Sequence, residues 1–320
     1  MQKLPKGTFP WGEQASGDKV ALGAMTYGFD LNPEDERLLR GPVPDKALRW
    51  AADAVGPGSH VRLAEPLAGG MSSAVHALDI EDGAGQIHEL VLRRFVRLDW
   101  LAEEPDLAER EATALRLVAG SAAPTPQLVA VAADAVLMTR LPGQVEWDPP
   151  LRKLAELLPL IHAMPTDAAL PEYRPYRIRS RRPPVWAQRP EAWLRGIELL
   201  DGPAPTDERL FIHRDFHPGN VLWRDGEVTG VVDWVNASIG SPWADVGHCR
   251  VNLADELGQD AADRFLELYR EVSGRQDPYH PYWDISAAIG GLDTDADTAP
   301  SPADEQFLQS AISNLQSQRA

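Results

Sequence analysis

Three oxygen-bearing side chains stand close together in Phe211-Ile212-His213-Arg214-Asp215-Phe216-His217-Pro218-Gly219-Asn220-Val221-Leu222-Trp223 and the following Val231-Val232-Asp233-Trp234. Asp215 precedes Asn220 by five positions, and Asp233 ends an apolar run. One carboxylate that orients and deprotonates a hydroxyl, with two hard oxygen ligands for a magnesium ion on ATP phosphates, is the set that phosphoryl transfer needs. The spacing therefore offers Asp215 as a base and Asn220 and Asp233 as magnesium ligands.

His213, Asp215 and His217 are also metal-ligand types, and alternate residues of an extended segment share a face. Pro218-Gly219 turns the chain there, however, and nothing nearby completes a hydrolase ligand set; that reading would also leave Asn220 and Asp233 without work. A plainer alternative is a loop of capped polar residues. Against it, Leu210-Phe211-Ile212 and Val221-Leu222-Trp223 read as strands that hold the loop from both sides. Asp225-Gly226 is a hairpin signal into Val228 to Val232, which returns Asp233 beside Asn220.

The order His-Arg-Asp, four residues, Asn matches the catalytic loop of kinases. HRDFHPGNVLW with VVDWVNASIGSPWADVGHCR resembles the aminoglycoside phosphotransferase family, which includes choline-kinase-like members, and weaker similarity runs from about Leu67 to about Leu253. The resemblance implies Asp215 as base, Asn220 and Asp233 on Mg2+, His213 buttressing the loop and Asp245 fastening it from the following helix. It commonly has Gly-Asp-Pro where this chain has Gly240-Ser241-Pro242.

Apolar residues at 43% and charged ones at 25% suit an ordinary globular core at this length of 320 residues. No apolar run approaches the roughly 20 residues that span a bilayer, and Met1 to Leu22 lacks an apolar signal core, so neither membrane nor export is expected. The single cysteine, Cys249, excludes an internal disulfide and suits a cytoplasmic location. With 31 basic against 48 acidic residues the net charge is −17, which repels nucleic acid and would attract a cationic small molecule.

The positioning elements follow from punctuation and period. Pro44-Asp45 starts a helix through Ala54, ended by Gly56-Pro57-Gly58. A strand from Val61, the turn Ala68 to Ser73 and a strand Ala74 to Ile80 form a glycine-bearing hairpin. Gly69 and Gly70 would let backbone N–H groups approach phosphate, with Ser72 and Ser73 adding hydroxyl donors. Glu89 to Phe95 reads as a third strand, and the resemblance places Arg93 on the ATP phosphates where kinases use Lys. Leu107 to Ala119 has helical spacing, and the resemblance makes its Glu111 the partner of Arg93. Strands at Gln127 to Val131 and Ala135 to Arg140 lead to a hinge in which backbone atoms of Thr139 and Leu141 are implied to bond adenine.

Leu151 to Met164 is an amphipathic helix with His162 in a packing or capping place near its end. Residues 173 to 195 carry seven Arg among Tyr173, Tyr176, Trp186 and Trp193, read as an insertion whose arginines pair with the excess carboxylates. Trp243 to Leu257 and Ala261 to Val272 read as helices, and Asp293, Asp295 and Asp297 as a solvated loop.

These readings give an α+β fold, bilobal and protein-kinase-like, with a small N-terminal antiparallel sheet lobe and a larger, mainly helical C-terminal lobe. Residues 1–43 form an N-terminal extension, partly disordered; 44–140 the nucleotide-binding lobe; 141–320 the catalytic and substrate-binding lobe. The expected reaction moves the γ-phosphoryl group of ATP, with Mg2+, to a hydroxyl of a small molecule such as an aminoglycoside or other antibiotic. A choline-like, sugar or amino-alcohol metabolite is the alternative acceptor, and a nucleotide-binding pseudokinase module the rival from another class. A monomer or homodimer is expected.

Overall fold

The computed structural model of the protein describes residues 33–67, 73–166, 169–176, 178, 181–290 and 302–319. Gly69, Gly70 and Ser72 of the glycine-bearing turn, the acidic run 293–297 and residues 1–32 lie outside them.

Two helices lead into a sheet. Helix α1 (Pro33–Arg40) falls in the segment read as an extension, yet its Leu39 is buried and the Gly41 carbonyl just beyond it lies 2.9 Å from His76 Nε2. Helix α2 (Asp45–Val55) begins at Pro44, whose extended backbone pre-sets the entry. It ends at Gly56, whose φ of 151° suits glycine and whose N–H returns to Ala52.

Strands β1 (His60–Pro66), β2 (Ala74–Glu81), β3 (Ile87–Arg94), β4 (Leu128–Ala132) and β5 (Ala135–Thr139) form one sheet in the order β1-β2-β3-β5-β4, with every neighbour antiparallel. Helices α3 (Leu98–Glu103) and α4 (Leu107–Val118) come between β3 and β4 in the chain. The two-residue alternation of a strand divides the sheet's apolar residues between its faces. Leu78, Leu90, Leu92 and Leu137 pack with Ala51 and Ala52 of α2. Val91, Val136 and Met138 join Ala108, Leu115 and Val118 of α4 in the main core. Arg93, two positions after Val91, therefore shares the α4 face.

Gly143 turns the chain out of the sheet with φ 109° and no room for a side chain, since a Cβ there would sit 2.7 Å from the Trp223 carbonyl oxygen. Strand β6 (Gln144–Val145) then pairs with β8 (Val221–Arg224), which pairs with β9 (Glu227–Val231). Between them run helices α5 (Leu151–His162) and α6 (Pro190–Leu200) and strand β7 (Leu210–Ile212), whose partner is β10 (Ser238–Gly240). Helices α7 (Pro242–Leu257), α8 (Gln259–Ser273), α9 (Tyr282–Gly290) and α10 (Pro302–Arg319) complete the order.

Helix α7 packs on α8 and α9, and α5 closes on α8. From Pro242 to Ala254 every residue of α7 is buried, so its polar side chains must find partners within the protein. Arg250 donates to Asp284 at 2.9 Å and to the Ala262 carbonyl at 2.7 Å; Asp245 and His248 face the loop after β7. The arginine-rich stretch runs into α6, whose Trp193 is buried and donates to Glu305; Arg181 pairs with Asp201 and Arg195 with Glu198. No helix among the described residues is long and apolar enough to cross a membrane.

Candidate active site

The loop after β7 is fixed from beneath by one carboxylate. Asp245, fully buried in the first turns of α7, accepts the His213 N–H on Oδ2 at 2.9 Å and the Arg214 N–H on Oδ1 at 2.6 Å, and His162 Nε2 lies 3.1 Å from the same Oδ2. Those two backbone bonds hold Arg214 at φ 67°, a left-handed conformation that reverses the chain and presents Asp215. His213 is buried on Trp234, its Nε2 3.0 Å from the Val232 carbonyl, and its Nδ1 takes the Asp215 N–H at 3.3 Å. The carbonyl acceptor sets the tautomer, with the proton on Nε2.

A one-turn 3-10 helix, Pro218–Asn220, carries the next oxygen ligand type. Gly219 is required there because a Cβ would come within 2.6 Å of the His217 ring. Asn220 commits its amide nitrogen to the Asp215 carbonyl at 2.8 Å, which leaves its amide oxygen as the end able to meet a cation. Asp225 and Gly226, at φ 53° and 75°, make the tight turn from β8 to β9 that an Asp-Gly pair favours. The hairpin brings Val232 N–H to the Asn220 carbonyl at 2.9 Å, so the next residue, Asp233, stands beside Asn220.

Arg93 meets this hairpin from the sheet. Its Nη1 donates to Asp233 at 2.7 Å and to Glu111 at 2.9 Å, and its Nε donates to the buried Ser73 hydroxyl at 2.7 Å. Burial works against the charge on Arg93, but the Asp233 and Glu111 carboxylates outweigh it and hold its pKa above the ordinary arginine value. Burial raises the Glu111 pKa, opposed by the same guanidinium. A cation, a buried acid and the hairpin carboxylate thus form one connected group.

At the hinge the implied adenine contacts divide. The Thr139 N–H already donates to the Gln127 carbonyl at 2.9 Å and its hydroxyl receives the Gln127 N–H, so its carbonyl is the atom left for a base. Leu141 packs with Val145, Trp147 and Leu222.

Around Asp215 the structure adds three residues not singled out for the site in the sequence. The Tyr176 hydroxyl donates to Asp215 Oδ1 at 3.3 Å, the Arg214 guanidinium lies 4.3 Å from the Tyr176 ring centre, and His248 Nε2 lies 3.0 Å from Asp215 Oδ1. His248 follows Asp245 by three positions on α7, a spacing that shares a helix face and could have flagged it. Tyr176 sits in the arginine-rich stretch, where nothing local announces it. Burial favours a protonated Asp215, yet the His248 ring, backed by His217 and His213, holds its carboxyl well below the usual range. Burial lowers His217 to about 3, so that ring is neutral near pH 7. The expectation that nothing completes a ligand set near this loop is corrected by the fold. His213 leaves the group for Val232, but Asp215, His217 and His248 offer ligand atoms all within 4.8 Å of one another.

Ser241 replaces the acid commonly found before the proline, and it caps α7 nonetheless. Its hydroxyl accepts the Trp243 N–H at 3.2 Å and donates to Asp207 at 2.8 Å.

An antiparallel sheet, a short hinge and a helical half around an Asp–Asn–Asp loop define the class: kinase-like phosphotransferases. The family model described as "APH: Phosphotransferase enzyme family" matches residues 64–282, more than half of the sequence, and the chain belongs to that family. Over 77 residues it is 25% identical to an aminoglycoside 3'-phosphotransferase of Enterococcus faecalis, a match that takes in 24% of this chain and only 28% of that relative's length. Among solved structures, a macrolide 2'-phosphotransferase type I shares the fold at TM-score 0.54 and 19% identity, over 86% of this chain and 98% of its own. A streptomycin-ATP-APH(2")-IIa ternary complex does so at TM-score 0.51 and 12% identity, over 78% and 86%.

Proposed function

We propose that the protein transfers the γ-phosphoryl group of ATP to a hydroxyl of a small molecule, with Asp215 as base. The observation that carries this reading is the junction of Arg93, Glu111 and Asp233 at 2.7–2.9 Å, set beside Asn220 and the Asp245-fastened loop. The donor set fits magnesium, since the Asp233 carboxylate and the Asn220 amide oxygen are hard oxygens suited to Mg2+. When bound, Mg2+ would neutralise charge on the ATP phosphates.

Each residue then has a task. Asp215, ionised by its surroundings, orients the acceptor hydroxyl and takes its proton. Asn220 ties the Asp215 backbone and turns its oxygen to the cation. Arg93 offers a fixed positive charge to the phosphates, and Glu111 keeps it on the sheet's α4 face. Gly69, Gly70, Ser72 and Ser73 would cover the phosphates, and Thr139 and Leu141 would receive adenine through backbone atoms. His213 and Asp245 act by holding the loop. The division at residue 140 into a nucleotide-binding and a catalytic lobe, a cytoplasmic location and a monomer or homodimer belong to the same reading.

For the acceptor we favour an aminoglycoside or other antibiotic hydroxyl, which the 3'-phosphotransferase relative and the net charge of −17 support. A choline-like, sugar or amino-alcohol metabolite is the second acceptor class. Incubation with Mg-ATP and a panel of aminoglycosides, macrolides and hydroxylated metabolites, read by mass spectrometry, tests this. A gain of one phosphate on a panel member supports the proposal. ATP binding with no phosphate gain across the panel would favour a nucleotide-binding interaction module.

A further inference from the structure

We infer that Asp215, His217 and His248 form a second cation site, distinct from the magnesium ligands, that takes a borderline divalent transition ion of the zinc class and thereby disables the base. Two imidazoles and one carboxylate are the donors such ions prefer, whereas magnesium favours oxygen alone. The three ligand atoms lie within 4.8 Å of one another. Two ligands on one tetrahedral zinc stand about 3.4 Å apart, so closure asks for a shift of roughly one ångström in the outermost ring.

His248 supplies the independent sign of a ligand. It is 6% exposed, and its Nε2, 3.0 Å from Asp215 Oδ1, has no properly formed hydrogen bond among the described residues. A buried imidazole nitrogen aimed at a carboxylate without a proper bond is a group in want of a partner. His217 approaches from the other side, its ring 5.8 Å from that of His248 and inclined at 69°. Its Nδ1 takes the Gly219 N–H at 3.2 Å, a long bond that leaves the ring proton on Nε2. A metal at Nδ1 would break the bond from Gly219, and one at Nε2 would move the ring proton to Nδ1; in either case the neutral ring supplies a lone pair without net loss of a proton. Zinc bound by three protein ligands takes water in its fourth position.

The metal site stands on these residues alone; its inhibitory effect rests on the role proposed for Asp215. An ion on Asp215 Oδ1 occupies the lone pair that would receive the acceptor's proton.

The test is equilibrium dialysis of the full chain against Zn2+, without nucleotide or acceptor, at constant ionic strength and with excess Mg2+. One zinc per chain is expected for the wild type. H248Q and H217Q should each weaken uptake by about 100-fold or more, since even supporting residues outside a ligand shell cost about 10–100-fold. Two variants guard against one failing to fold, which circular dichroism would reveal. H88Q, at the half-buried Asp82–His88 pair far from this loop in the sequence, should bind as wild type does. Equal uptake by wild type, H248Q and H217Q overturns the site. Zinc bound at these residues with no loss of phosphate transfer would overturn the inhibition and, with it, the part given to Asp215. A chain with no transferase activity still answers the binding question.

Discussion

Arg93 Nη1 lies 2.7 Å from Asp233 Oδ1, a contact that joins two residues 140 positions apart and ties the sheet to the β8–β9 hairpin. Both partners are drawn there by local rules: strand alternation turns Arg93 toward α4, and a left-handed backbone at φ 66° swings Asp233 back after the hairpin. Glu111, buried at 1% exposure, depends on that cation for its charge. Replacing Arg93 with Ala leaves Glu111 buried without its ionic partner, a change that typically costs about 3–5 kcal/mol. Urea unfolding should show a loss of that order, and Arg93→Lys, which keeps a charge but not the fork to Ser73, should lose less.

Asp233→Ala tests the magnesium role proposed for that carboxylate. If Asp233 holds magnesium, Mg-ATP should no longer raise the melting temperature, and the apoprotein itself should melt lower because buried Arg93 loses a carboxylate partner. Differential scanning fluorimetry with and without Mg-ATP makes the comparison. An undiminished Mg-dependent shift would remove Asp233 from the magnesium ligands.

Most of the sheet and the strand–loop–hairpin segment from β7 to β9 were legible because their signals are local. Alternation, the Asp225-Gly226 turn and the proline and glycine stops gave β2, β3, β5, α2, α4, α5 and α7 to within a few residues. What the sequence hid depends on distance or on weak periodicity. Helix α6 starts inside an arginine-rich stretch that masked the buried side of Trp193, and α9 is short and buried nearly throughout, its Asp284 and Ser286 included, so no exposed polar face marks it. Helix α1 precedes the sheet in a segment without sustained pattern. At the site, Tyr176 and His248 reach Asp215 from 39 and 33 residues away through tertiary packing, which no spacing within the loop encodes. The Thr139 amide is consumed by Gln127 because β4 overlaps the hinge, a pairing that only the sheet order reveals.

Ser241→Ala removes the cap of α7 together with the bond to Asp207. Loss of such a cap costs about 1 kcal/mol, within a range of roughly 0.5–2. Chemical denaturation should show that decrease, and Ser241→Asp should recover part of it through the same N–H while facing repulsion from Asp207.

Stability should fall on mild acidification through His76. Burial, aided by the Arg94 charge and opposed by the bond to Gly41, holds its pKa below the ordinary histidine value. The unfolded chain protonates this ring near pH 6.5, whereas the folded chain resists, so the unfolded state binds more protons just below that pH. The contribution of the neutral ring is thus complete above about pH 6.5 and declines as pH falls toward the folded pKa. His76→Gln should flatten that part of the stability profile, as measured by urea midpoints across the range.

The turnover of Asp215→Asn on an accepted substrate is the most direct measure of the chemistry assigned to this loop. Asparagine keeps the shape but cannot take the hydroxyl proton, so the rate of phosphate transfer should drop by about 100-fold to 10,000-fold while Mg-ATP still stabilises the protein. Wild-type turnover in that variant would contradict the account.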